Sequence, residues 1–114
     1  MATLTVQTPS ETGGLTFAAA DVAGDNIPNN GETILIVENG GAGSITVTVT
    51  AQNTTPTTNA YGPVTKSDGG GSVGIGVIEV FGPFPKAAFD NSNKQFEVTY
   101  SGVTSVNVAA INIA

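Results

Sequence analysis

Ser44-Ile45-Thr46-Val47-Thr48-Val49-Thr50-Ala51-Gln52 alternates between apolar and polar side chains along its length. Successive side chains of a strand point to opposite faces, so Ile45, Val47, Val49 and Ala51 share one face and Thr46, Thr48 and Thr50 the other. One face belongs in a core, the other in water or against a partner. Immediately before it lies Thr33-Ile34-Leu35-Ile36-Val37-Glu38, joined through Asn39-Gly40-Gly41-Ala42-Gly43. The Asn-Gly step supplies the positive φ that hairpin loops need, so the two strands are expected to pair as an antiparallel hairpin. Ile34 to Val37 is apolar on both faces and needs cover on both sides, from a loop or from another subunit.

Further out the same signals recur. Gln95 to Tyr100, then Ser101-Gly102, then Val103 to Ile113 reads as a second hairpin with Phe96, Val98 and Tyr100 inward. Val106 and Val108 hold one parity and Ile111 and Ile113 the other, so burying all four requires a bulge near Ala109-Ala110. Asn53 to Gly71 reads as a long surface loop, and Val73 to Phe81 as a strand whose parity shifts before Gly82-Pro83-Phe84-Pro85 ends it. Pro85 is a good first-turn residue, and Lys86 to Asp90 is expected to make one helical turn that packs Phe84 and Phe89 on the core. Thr3 to Thr8 and Leu15 to Ala18 read as strands near the N-terminus. The expected fold is therefore all-β: one antiparallel β-sandwich domain over residues 1–114, jelly-roll-like, with seven or eight short strands and residues 1–14 as an extended N-terminal arm.

Composition removes most chemistry. The chain has 114 residues, no Cys, no His, no Trp and no Arg, and a formal net charge of -6. Without imidazole or thiolate, zinc, haem and iron–sulfur sites lack their ligands, and a triad hydrolase lacks its base. Three lysines (Lys66, Lys86 and Lys94) offer no basic stripe for nucleic acid. No apolar stretch is long enough for a membrane helix, and the first residues lack the basic and apolar regions of a secretory signal, so synthesis in the cytosol is expected. No enzyme activity, cofactor or metal is expected.

Several patterns invite sharper readings, and each has a simpler one. Gly69, Gly71 and Gly74 spell the dinucleotide fingerprint, but a Val/Ile strand follows where a helix is required. Asp21, Asp25, Asn26, Asn29 and Glu32 are oxygen ligands of the kind calcium takes, yet their spacing fits no calcium loop and turn chemistry accounts for them. Scattered carboxylates suggest a glycosidase pair, but Tyr61 and Tyr100 are the only platforms for a sugar besides phenylalanine, and a solvated surface explains the acids. The threonine ladder of Thr46, Thr48 and Thr50 is what any half-buried strand shows. Asn53-Thr54-Thr55 is a glycosylation sequon without a secretory route.

Taken together, Gly24-Asp25-Asn26-Ile27-Pro28-Asn29-Asn30-Gly31 leading into Thr33 to Asn39, then Ile45 to Val49, Gly82-Pro83-Phe84-Pro85 with Phe89, and Val98-Thr99-Tyr100-Ser101, resemble small phage and prophage head decoration (capsid cement) proteins. The resemblance runs from about Leu15 to Ala110 and its motifs are turns and strands with no chemical signature. It implies a non-enzymatic virion protein made in the host cytoplasm. Such a protein binds the major capsid protein on the outer surface of the shell, often as a trimer near three-fold axes. An acidic chain suits the outside of a shell better than its DNA-lined interior. Leu4, Val6, Leu35, Val37, Ile111 and Ile113 are the expected subunit or shell contacts. A carbohydrate-binding or tail- or fibre-associated phage module, using Tyr61 or Tyr100, and a small surface adhesin are the alternatives.

Overall fold

The computed structural model describes residues 2–8, 13–53 and 67–112. In chain order the elements are β1 (Ala2–Thr3), β2 (Val6–Gln7), β3 (Ala18–Ala19), β4 (Asp25–Pro28), β5 (Thr33–Asn39), β6 (Ile45–Val49), β7 (Gly69–Val73), β8 (Ile78–Phe81), α1 (Lys86–Phe89), β9 (Gln95–Tyr100) and β10 (Val106–Asn112). They build two five-stranded sheets. The first runs β1-β4-β9-β6-β7, and the second β2-β10-β5-β8 with β3 also on β10. The all-β expectation holds. The all-antiparallel one does not, because β1 runs parallel to β4 and β2 parallel to β10. Both exceptions come from the N-terminal segment, which gives one short strand to each sheet and crosses between them at Leu4 and Thr5.

The decisive departure is in the connections. Both expected hairpins are sheet-to-sheet crossings: β5 lies in the second sheet and β6 in the first, and β9 and β10 divide the same way. A pleated strand looks the same whether its neighbour in sequence pairs with it or faces it across the core. The Asn39 side chain decides the first case. It is fully buried, donates to the carbonyls of Gly43 (2.9 Å) and Val73 (3.1 Å), and accepts from the Gly41 amide (3.0 Å). These bonds turn the chain away from β5 toward the other sheet. Gly41 has no room for a side chain there, since a Cβ would sit 2.7 Å from the Thr104 carbonyl oxygen.

Val73 to Phe81 is likewise two strands rather than one, folded at Gly74–Val77 where the Val77 amide donates to the Gly74 carbonyl (3.1 Å). Gly69 to Gly71, expected in a loop, pair with β6 as the start of β7; residues 54–66 of that loop lie outside the described residues. Phe84 packs on the β7 backbone, so a Cβ on Gly69 would meet its ring at 3.0 Å. No bulge interrupts β10, which keeps one register with β5 from Val106↔Asn39 to Asn112↔Thr33.

The inward faces meet in one core. The first sheet contributes Ile27, Val47, Val49, Phe96 and Val98, and the second Leu35, Val37, Val106, Val108 and Ala110. The helical turn forms as expected and closes one end, with Phe84 at 5.2 Å from Phe89 and 4.7 Å from Phe96 between ring centroids. The Phe84–Phe89 pair is edge-to-face and the Phe84–Phe96 pair tilted, and such offset aromatic contacts add to area burial. A second buried asparagine, Asn29, holds this end: it donates to the Phe84 carbonyl (3.1 Å) and the Asp90 carboxylate (2.7 Å) and accepts from the Gly31 amide (2.9 Å).

Candidate interaction surface

The register of the second sheet fixes which side chains face outward. Leu35, Val37 and Asn39 point into the core, and across from them so do Ala110, Val108 and Val106. The outward set is therefore Ile34, Ile36 and Glu38 on β5, Asn107, Ala109 and Ile111 on β10, and Ile78 and Val80 on β8. In rows across the sheet, Val80 lies beside Ile36 and then Ala109, and Ile34 lies beside Ile111. Ile78 and Val80 are each 55% exposed, and Ile75, in the adjoining turn, is 60% exposed. Ile34, Ile36 and Ile111 are half-buried and Ala109 is buried, so this apolar outer face is most open along β8 and the turn before it.

The expected interface residues are corrected accordingly. Leu35 and Val37 have 0% exposure and cannot offer a surface in the folded chain. Leu4 is also buried in the core; Val6 is half-buried and packs against it. Ile111 is half-buried on the outer face, and Ile113 lies outside the described residues. β5 is apolar on both faces, but it is Leu35 and Val37 that face the core and Ile34 and Ile36 that face outward. Glu38 carried the missing signal, because it shares parity with Ile34 and Ile36 and a charged side chain marks the solvent side. Ile78 and Val80 were hidden inside a strand assumed continuous from Val73.

β8 is also an edge strand; among the described residues nothing pairs with its outer side. The Asn39 amide donates to the Val77 carbonyl at 3.1 Å, which sets the alternation of the β5–β8 ladder. Glu79 and Phe81 then bond to β5, while the amides and carbonyls of Ile78 and Val80 point away from it.

Elsewhere the polar groups are spent on structure. The calcium-like set is divided between the two ends of β4: Asp21 and Asp25 meet in the β3–β4 turn, whereas Asn29 and Glu32 lie beyond the far end of the strand. Among the described residues no group of three or more acidic side chains could hold a metal ion. Asp25 is fully buried. Its Oδ2 accepts from the Tyr100 hydroxyl (2.7 Å) and the Asp21 amide (3.4 Å), while Oδ1 has no partner. Burial raises the Asp25 carboxyl above its usual range, against the smaller lowering effects of Tyr100 and the Asp21 amide. Burial, with help from Asp25, also pushes the Tyr100 phenol up, so it stays a donor at any ordinary pH. Tyr100 thus packs at the rim of the core, and Tyr61 lies outside the described residues.

Between the N-terminal segment and β3 there is a hollow of about 430 Å³ lined by Leu4, Gln7, Phe17 and Ala109 among others, with no acid or base in its wall. Gln7 bridges it, donating to the Thr16 carbonyl (2.7 Å) and accepting from the Thr16 amide (2.8 Å), as a neighbouring strand's backbone would. Comparison with protein-family models, with curated proteins and with solved structures finds no match to this chain.

Proposed function

We propose that the protein is a non-enzymatic structural module that decorates the outer surface of a phage head, binding the major capsid protein and holding neighbouring capsomers together. The observation that carries this reading is the apolar outer face of the second sheet. A chain of this size with a charge of -6 has every reason to keep such a face wet and polar, unless another surface covers it. The sequence resemblance supplies the kind of partner.

The strand order supports a jelly-roll sandwich as the scaffold. Without β1 and β2, β4-β9-β6-β7 and β3-β10-β5-β8 are two four-stranded antiparallel sheets, and every connection from β3 to β10 except that from β6 to β7 leads from one sheet to the other. That is the double Greek-key arrangement found in viral capsid and lectin domains.

Co-sedimentation with undecorated heads of the phage that encodes the chain tests the reading. Wild type pellets with the heads. An Ile36→Thr, Val80→Thr double variant keeps the wild-type circular dichroism spectrum and stays in the supernatant. Wild type that remains in the supernatant at saturating concentration ends the decoration reading.

A further inference from the structure

We infer that the free edge of β8 accepts an extended segment of another protein, one carrying a lysine or arginine between two apolar residues. Resting on the decoration reading only for which protein carries that segment, the inference itself comes from comparing the sheet edges. At the first sheet's outer edges β1 is two residues long, Pro28 at the end of β4 has no amide to give, and β7 contains Gly70 at φ +101°. At the other edge of the second sheet, β2 and β3 each pair over two residues. Among the described residues β8 alone combines four regular residues, a free row of backbone groups at Ile78 and Val80, and exposed apolar side chains at those two positions. The outward backbone groups are those of the residues whose side chains join the apolar outer face. An added strand would therefore gain hydrogen bonds and extend that face together.

Charge selects the occupant. Glu79, exposed between Ile78 and Val80, and Glu38, beside Ile78 on the outer face, are the charged side chains of β8 and β5, and β10 has none. An antiparallel second copy in the register that pairs Ile78 with Val80 on both sides would bring two Glu79 carboxylates face to face at the closest cross-strand spacing. No strand among the described residues carries a lysine that could sit there instead: Lys86 opens α1 and Lys94 precedes β9. Glu79 thus acts as a guard against self-pairing and as a reader of a basic residue in a foreign strand.

The test uses the whole protein and two short end-blocked peptides, one with Val-Lys-Val and one with Val-Glu-Val at its centre, followed by amide hydrogen exchange. The lysine peptide is expected to slow exchange at Ile78 and Val80 without changing Glu79 or Phe81, and to bind about fivefold more tightly than the glutamate peptide. Glu79→Lys should reverse that preference. Val80→Pro should abolish binding while leaving the fold intact, because the Val80 amide makes no bond to β5. Equal binding of both peptides, protection absent from Ile78 and Val80, or protection that rises with protein concentration alone would overturn the inference. Undecorated heads separate the two readings. If Glu79→Lys, which leaves the apolar side chains of the outer face in place, binds heads as wild type does, the edge is wrong and decoration stands. Peptide binding with no binding to heads gives the reverse.

Discussion

The two sheets show one kind of face to each other and opposite kinds to the outside. Across the first, outward positions carry Ser72, Thr46, Thr48, Thr99, Glu97 and Asn26; across the second, the central ones are Ile34, Ile36, Ala109, Ile111, Ile78 and Val80. Folding alone needs only the inward half of each pattern. The first sheet meets that minimum, with hydroxyls and amides on its wet side, as an antiparallel sheet with one solvated face should. The second exceeds it. Apolar side chains beyond what the core uses are what the proposed contact rests on, and comparing the two faces of a single strand is the most direct way to separate stability from assembly.

Leu35 and Ile36 are adjacent and both aliphatic, yet only the first is in the core. Leu35→Ala should cost about 2 to 5 kcal/mol, the range for a large-to-small change in a filled core, measured by denaturant unfolding. The same assay on the first sheet should find Gly70→Ala nearly as damaging, at about 3 kcal/mol. An added Cβ would fall 2.1 Å from the Val47 carbonyl oxygen and the backbone would be held at a φ that side chains resist. Ile36→Thr, by contrast, should change stability by about 1 kcal/mol or less while weakening attachment to heads. A large loss of stability with Ile36→Thr would erase the distinction between the two faces.

What was legible in the sequence followed from local chemistry. Thr46 and Thr48 against Val47 and Val49 set one strand's faces unambiguously, and Pro85 with Phe84 and Phe89 gave the helical turn and its packing. Val106 and Val108 were rightly inward, but Ile111 was free to face out, so the bulge was unnecessary. Where both faces of a strand are apolar, as at Ile34 to Val37, period-2 patterning cannot say which is core. The crossings were illegible for a different reason. Asn39-Gly40 is chemically the same in a hairpin turn and in a crossing, and the difference lies in carbonyls at Gly43 and, in another strand, Val73. The interaction surface inherited both ambiguities, which is why Leu35 and Val37 stood in for Ile34 and Ile36.

The smallest expected effect concerns the inward side of the first sheet, at Asp25. A carboxyl raised above its ordinary value of 3.8 keeps its proton in the folded chain over a pH range where the unfolded chain has lost it. Its contribution therefore falls as pH rises through that range and is restored on acidification. Asp25→Asn removes this dependence and can still accept from the Tyr100 hydroxyl. The melting temperature of the variant relative to wild type should rise with pH above 3.8 and level off once the wild-type carboxyl is ionised. A difference that stays flat would show that burial does not govern this group.

The parallel pairing of β2 with β10 joins Val6 to Ala110 and Gln7 to Ile111, almost the whole length of the chain apart. On a ribosome the first of these segments emerges long before the second exists. Its place in the second sheet must stay empty until β10 has been made, and β1, tethered to β2 by two residues, can settle on β4 only loosely in the meantime. Closure of the second sheet thus waits for β10, and the pairing that completes it is among the longest-range in the fold.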